Sequence, residues 1–154
     1  MKEISIIFKE WVSISPIIEN SEGGYHGYWY KNFYGINKNF GTEQDFHDLV
    51  KACHDRDIWV MVDVVPNHVT PVANNTDFSE IVPFNDAKYY HWPILPCRWV
   101  FDNQPDNHTA LELCWLWSLP DLDHENPEVS RLLLEWIHDF VQTYHIDGLR
   151  ADAV

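Results

Sequence analysis

Apolar residues recur with a helical period in two stretches of the chain and with strand-like patterns in three. Trp11 to Ser15 alternates and is stopped by Pro16, which reads as a short strand. Thr42 opens a helix, and Asp45 stands three residues on, in capping-box position. Phe46, Leu49, Val50 and Cys53 fall on one face of it, so Cys53 is expected to be a buried helix residue. The helix is expected to end near Arg56-Asp57. Ile58 to Val65 follows as a nearly continuous apolar run, the pattern of a strand buried on both faces of a parallel sheet. Order returns at Asn126-Pro127-Glu128, an N-cap, a first-turn proline and an acidic residue. Val129, Leu132, Leu133, Trp136, Ile137, Phe140, Val141 and Tyr144 then keep an i, i+3, i+4 face, and Asp147 to Val154 reads as a last strand.

Two stretches show no period. Residues 19–41, rich in Gly, Asn and Tyr, read as a long loop, which inside a compact domain points to function. From Val69 to about Ser118 the chain carries prolines at 71, 83, 93, 96 and 105 and clustered aromatics, the mark of an irregular insertion. The order is thus β, α, β, insertion, α, β. Strands alternating with helices imply right-handed crossovers, a parallel sheet and the α/β class. Functional residues in such folds lie at the C-terminal ends of strands. That rule selects the loop after Ile14, the Pro66-Asn67-His68 end, and Arg150 to Asp152.

Composition narrows the partners. The 154 residues carry 10 basic and 24 acidic side chains, a net charge of −14. Phosphate recognition needs a basic face, so nucleic acid is set aside, while a neutral ligand or a bound cation suits this field. No apolar run reaches the ~18 residues that cross a bilayer. Aromatics make up 15% of the chain, enough for sugar-stacking platforms and equally for an aromatic-rich core. The opening MKEISIIFKE is too brief and too charged for a signal peptide. Cys53, Cys97 and Cys114 show no CxxC spacing; one disulfide and one free thiol is an open arrangement that would imply an oxidising compartment. Asn74-Asn75-Thr76 and Asn107-His108-Thr109 fit the glycosylation sequon, which matters only on export. No internal repeat is present.

Several side chains could carry chemistry. Asp63 interrupts an apolar strand, and Arg150 and Asp152, two apart, share one face of another. A guanidinium beside a carboxylate holds it ionised, as a nucleophile in glycosyl transfer requires. A structural ion pair closing a sheet would show the same spacing. His68, after Asn67 at a strand end, suits a ligand or a satisfied hydrogen bond. Asn67, Glu112 and Asp123 bear oxygens near the insertion, and calcium takes six to eight oxygen ligands. Asp121-Leu122-Asp123 reads equally as a solvated acidic face. Tyr25-His26-Gly27-Tyr28-Trp29 suits stacking on a flat ligand, or a packed loop.

Taken together, these segments resemble the alpha-amylase family, glycoside hydrolase family 13. DVVPNH (Asp63 to His68), LPDLD (Leu119 to Asp123) and GLRADAV (Gly148 to Val154) are similar to three of its signature segments, in the right order. YHGYW (Tyr25 to Trp29) and ELCWLWSLPDLD are closest to the fungal-type, calcium-binding members, and the resemblance runs from about Trp11 to Val154. It implies that Asp152 is the catalytic nucleophile and that Arg150 keeps it ionised and oriented. His26, Tyr28, Trp29 and His68 would line the sugar subsite beside the cleaved bond, with Asp63 a buried carboxylate supporting them. Asn67, Glu112 (by its main-chain carbonyl) and Asp123 would hold a structural Ca2+. Cys97 and Cys114 would form a disulfide, leaving Cys53 free and pointing to a secreted, extracellular or vacuolar parent protein. The expected ligand is an α-1,4-glucan such as starch, glycogen or maltooligosaccharides, bound by a monomer.

The resemblance also implies a partial (β/α)8 TIM barrel. Residues 1–68 would hold barrel strands two and three, residues 69–118 the domain B insertion, and residues 119–154 helix three and strand four. A complete barrel takes about 250 residues. Residues 1–10 do not match the family's pattern. The general-acid glutamate, the third carboxylate and the Lys-His pair after the nucleophile strand have no counterpart in these residues. Asp57 stands where a helix-ending glycine is usual, a small cost because Asp tolerates the left-handed conformation. Retaining hydrolysis needs both a nucleophile and an acid, so the 154 residues alone are expected to be inactive and poorly stable. Two other readings stay open: a non-catalytic α-glucan- or calcium-binding protein, and another enzyme of the family such as a maltase or transglycosylase.

Overall fold

The computed structural model describes residues 10–74, 76–91, 97–99 and 108–153. β1 (Trp11–Ile14) runs up to Pro16, and the chain then folds back as an antiparallel hairpin, β2 (Ile18–Asn20) against β3 (Tyr30–Ile36). This hairpin corrects the long loop expected over residues 19–41. Ile18 pairs with Ile36, Glu19 with Asn32 and Asn20 with Tyr30, so the register shifts at both steps. Buried Tyr30 and Phe33 consequently lie three residues apart, and the two-residue alternation that announces a strand is erased.

α1 (Glu43–His54) begins with the expected capping box, in which the Thr42 hydroxyl accepts from the Asp45 N–H and the Asp45 carboxylate from the Thr42 N–H. Its buried stripe is narrower than its apolar face. Phe46 and Val50 are buried, Leu49 is 44% exposed, and Cys53, expected to be buried, is only half-buried at the margin of the contact. Asp57 adopts the left-handed conformation at φ 59°, the geometry its place after the helix requires. β4 (Trp59–Val64) then places Val60, Val62, Asp63 and Val64 in the interior, while Trp59 at its start is exposed.

The described residues between 69 and 118 contain elements too short to show a period. These are a 3-10 turn (Ala87–Tyr89), β5 (Arg98–Trp99), α2 (His108–Leu113) and β6 (Trp115–Leu116), with β5 and β6 paired in parallel. The Cys97–Cys114 disulfide joins the residues preceding both strands. Replacing both cysteines by serine is expected to lower stability by about 3 kcal/mol, as closure of a loop of this size implies, the bridge spanning 17 residues. Urea unfolding would read the change, and an unchanged midpoint would show that the loop is ordered without the bridge.

α3 (Pro127–Tyr144) starts where Asn126 accepts from the Glu128 N–H, and its long apolar face holds the interior together. Trp136 meets Phe33 and Tyr30 edge-on, and Phe140 stacks on Phe46 of α1. The chain leaves α3 through left-handed His145 into β7 (Gly148–Ala151), shorter than the expected strand over residues 147–154. The parallel sheet has the order β1-β4-β7, with Asp63 opposite Arg150. Asp152 lies just past β7, though its N–H still donates to the Val64 carbonyl at 2.8 Å.

Candidate active site

The C-terminal ends of β4 and β7 bring a charged cluster to one edge of the sheet. Because Asp63 and Arg150 are register partners, the Arg150 guanidinium lies over the Asp63 carboxylate, with Nη1 2.5 Å from Oδ2. The same nitrogen is 2.6 Å from Asp152 Oδ1, so one guanidinium clamps the carboxylate of β4 and the one just past β7. The Asp63 hydrogen bond, reinforced by the charges of Asp152 and Asp63, holds Arg150 above its ordinary pKa and keeps it protonated. Tyr28 Oη donates to Asp63 Oδ2 at 3.0 Å. Burial first, then the hydrogen bond to Asp63, push the Tyr28 phenol up, so it stays a donor. Asp63 Oδ1 is buried without a hydrogen-bond partner, which leaves Arg150 and Tyr28 as its compensation.

The β2–β3 hairpin delivers the aromatic residues to this cluster. Gly27, in the left-handed region at φ 94°, lets the loop close against Pro16, where a Cβ would come within 2.6 Å of the Pro16 carbonyl. The following Tyr28 N–H donates to His26 Nδ1, and the His26 ring stacks on Tyr28 and meets Trp29 edge-on. His68 is 3% exposed, and its Nε2 donates to the Tyr28 carbonyl at 3.3 Å, fixing the tautomer with the proton on Nε2. Burial depresses its pKa from 6.5 to about 4, against the pull of the Tyr28 carbonyl and Asp152, so His68 is neutral near pH 7. His26, Tyr28, Trp29, His68, Arg150 and Asp152 line one cleft of about 470 Å³, with residues 116–119 also contributing to it. Every substrate-site residue singled out in the sequence therefore falls in this cleft or, for Asp63, directly beneath its charged pair.

A second polar group lies beyond His68. Asn67 donates through Nδ2 to Asp121 Oδ1, His91 Nδ1 is 2.8 Å from Asp121 Oδ2, and His91 Nε2 is 3.2 Å from Asp123 Oδ1. Asp123 also accepts the Glu125 and Asn126 N–H groups at the start of α3. Burial raises Asp121 to about 6, opposed by His91 and Asn67. Asn67 and Glu112 line a common cavity of about 580 Å³ with His91, and Asp123 reaches it through the His91 ring. Among the described residues, no three His, Cys, Asp or Glu side chains converge as a metal cluster. Asn67 Oδ1 and the Asp123 carboxylate are hard oxygen donors of the kind calcium takes, fewer than the six to eight a full shell needs.

Sequence reasoning passed over His91 and Trp117, and the solvated face it allowed for Asp121 is corrected, since Asp121 is buried between Asn67 and His91. His91 and Trp117 carry no local pattern. Asn107 of the second sequon lies outside the described residues, while Asn74 of the first sits in a left-handed turn at φ 54°.

An α/β sheet with an arginine-clamped carboxylate pair and an aromatic cleft at its C-terminal edge is the arrangement of enzymes that bind at the strand ends of parallel sheets. Residues 9–154 match the family model described as "Alpha amylase, catalytic domain". The chain belongs to the alpha-amylase family. It is 44% identical over 151 residues to alpha-amylase mde5 of Schizosaccharomyces pombe, covering 91% of this chain and 28% of that protein. It is 40% identical over 152 residues to the alpha-amylase of Saccharomycopsis fibuligera, covering 91% of this chain and 30% of that one. The structure of an alpha-amylase from Malbranchea cinnamomea superposes with a TM-score of 0.82 at 42% identity, over 94% of this chain and 32% of that one. An alpha-amylase from Geobacillus thermoleovorans, solved in complex with acarbose, gives a TM-score of 0.77 at 35% identity, over 94% of this chain and 30% of that one. The chain thus spans less than a third of the length of these relatives.

Proposed function

We propose that the protein carrying these residues hydrolyses α-1,4-glucans such as starch or glycogen by a retaining double displacement, with Asp152 as nucleophile. The observation that supports this is the Arg150 clamp, which holds the Asp152 carboxyl group at the edge of an aromatic cleft. In this reading Asp152 attacks the anomeric carbon and Arg150 holds the carboxylate in place. His26, Tyr28, Trp29 and His68 seat the sugar beside it. Asp63 fixes both Arg150 and Tyr28. β1, β4 and β7 correspond to the second, third and fourth strands of a TIM barrel, with residues 69–118 as domain B between residues 1–68 and 119–154. The bound ligand is an α-glucan chain, in keeping with the acarbose held by the Geobacillus relative.

Calcium belongs to the same reading. Asn67, the Glu112 carbonyl and Asp123 would contribute its protein oxygens, and the ion would brace residues 69–118 against the start of α3. The Cys97–Cys114 disulfide supports an oxidising, extracellular or vacuolar location. A non-catalytic glucan-binding role is the second reading. It rests on the aromatic lining of the cleft, His26, Tyr28 and Trp29, which would bind a glucan whether or not Asp152 reacts.

A glycosyl donor that needs no acid separates the two. In 5-fluoro-α-maltosyl fluoride the anomeric fluoride leaves with its bonding electrons and requires no proton, so Asp152 alone suffices to form the ester with C1 as the C–F bond breaks. The expected result is a covalent adduct on the peptide containing Asp152, absent from Asp152→Asn. Binding of maltooligosaccharide with no adduct would establish the non-catalytic reading, and an adduct on another residue would overturn the assignment of the nucleophile.

A further inference from the structure

Tyr28 reaches the charged cluster from a loop with little stiffness of its own. Residues 21–27 include Gly23, Gly24 and Gly27, and Tyr25 among them is largely in solvent, so such a segment loses much conformational freedom on being fixed. Turns closed by the Gly24 N–H on the Ser21 carbonyl and by the Gly27 N–H on the Gly24 carbonyl shape it only locally. The peptide groups on either side of Tyr28 are nevertheless satisfied at every polar atom. His26 Nδ1 accepts the Tyr28 N–H, and His68 Nε2 donates to the Tyr28 carbonyl. The two remaining atoms are taken by one side chain. Asn20 Nδ2 donates to the Gly27 carbonyl at 3.1 Å, and Asn20 Oδ1 accepts the Trp29 N–H at 2.7 Å.

The chemistry of Asn20 suits this place. Its amide offers two N–H donors and one carbonyl, and the second donor goes to the Ile18 carbonyl at 2.8 Å, which ties the side chain to its own strand, β2. A single orientation of the amide meets all these partners, because turning it over would set its oxygen against two carbonyls and its NH2 against the Trp29 N–H. The loop also packs closely on it. A Cβ at Gly24 would lie 2.7 Å from Asn20 Oδ1 and 2.9 Å from Asn20 Cβ. We propose that Asn20 is a positioning residue of the active site, fixing the backbone around Tyr28 so that the phenol meets Asp63 and Trp29 lines the cleft. Its influence reaches the nucleophile through Tyr28, Asp63 and Arg150 in turn. This rests on the α-glucan reading above and adds to it a residue that does not itself touch the sugar.

The test follows two quantities, the rate at which 5-fluoro-α-maltosyl fluoride labels Asp152 and the Kd of maltotriose. They are measured for the protein and for Asn20→Ala, Gly24→Ala and Asn32→Ala. Asn32 is the control, because it makes the same kind of bonds in the same hairpin, accepting the Tyr34 N–H and donating to Glu19, away from the cleft. Gly24→Ala leaves every polar group of Asn20 in place and pushes the loop off it. Labelling is expected to slow by about 10²-fold in Asn20→Ala, as a misplacement of about 1 Å implies. The maltotriose Kd is expected to rise about tenfold, and Gly24→Ala to show the same pattern. Asn32→Ala is expected to lower the thermal midpoint yet keep both quantities within about threefold of the parent, which a purely structural role for Asn20 would not allow. Should Asn20→Ala fail to fold, Gly24→Ala decides alone. Unchanged labelling in the Asn20 and Gly24 variants, or an equal loss in Asn32→Ala, would overturn the positioning role while the α-glucan reading stands. If the parent binds maltotriose without being labelled, the Kd comparison decides in the same way. If it neither binds nor is labelled, both readings fall together.

Discussion

Arg150→Met is expected to cost more stability than Asp63→Leu, although Asp63 is buried and Arg150 is half in solvent. Asp63 is 6% exposed, with one carboxylate oxygen already unpartnered and the other shared between Arg150 and Tyr28. Removing the guanidinium strands that carboxylate with a single phenol, and an interior carboxylate that loses its partner is costlier than no carboxylate at all. Removing Asp63 instead leaves Arg150 with Asp152 and water, and leucine at this position carries no charge into the interior. Urea unfolding of both variants and of the double variant decides the matter. The double variant is expected to be more stable than Arg150→Met alone, since no charge is then stranded. Should Arg150→Met prove the milder substitution, the clamp would not be what compensates Asp63. The same variant frees the proposed nucleophile, and a misplacement of about 1 Å is enough to slow capture of an activated glycosyl fluoride by about 10²-fold.

Acid is expected to weaken the protein partly through His68. Its folded pKa of about 4 lies below the ordinary value of 6.5, so between those limits the unfolded chain binds a proton that the folded one refuses. The stability associated with His68 is therefore complete above about pH 6.5 and is lost progressively as the pH falls toward 4. Each tenfold loss of proton affinity on folding corresponds to about 1.4 kcal/mol, which makes the whole effect about 3 kcal/mol. Asp121 works with the opposite sign. Its raised pKa of about 6 means that the folded state takes up a proton first, so its contribution is lost as the pH rises through that value. His68→Gln keeps a donor for the Tyr28 carbonyl, cannot ionise, and leaves Asp121 in place. The fall in unfolding free energy between pH 7 and about pH 4.5 is expected to be smaller in His68→Gln by about 2 kcal/mol, Asp121 cancelling from the comparison. Parallel pH profiles for the two proteins would show that His68 is not held neutral by burial.

How far the fold could be read from the sequence varied with the distance over which each feature is decided. α3 and the start of α1 were legible because caps and a 3.6-residue period are local, and β4 because strands buried on both faces are apolar throughout. The hairpin was not, since its identity depends on partners whose register shifts at Glu19 and Asn20. Cys53 was placed too deep because a helical face shows which residues could be buried but not how wide a neighbour covers them. In the site, the pairing of Arg150 with Asp152 followed from their two-residue spacing. The meeting of Arg150 with Asp63 depends on strand register, which no single strand records. Trp117 was illegible for a related reason, because the path of the chain and not a local pattern brings it to the cleft.

That register has a consequence for how the sheet assembles. Hydrophobic side chains alone are a forgiving guide to alignment when a strand is apolar on both faces, because a slip by one position still leaves apolar side chains of β4 in the interior. A parallel sheet of this kind would otherwise tolerate several near-equivalent threadings. Asp63 and Arg150 remove that tolerance, since they face each other only in the observed alignment of β4 and β7. A shift of one residue would turn Arg150 to the opposite face and leave Asp63 naked in the interior. The ion pair thus acts as a key cut for one lock position, discriminating between threadings that the apolar residues cannot tell apart.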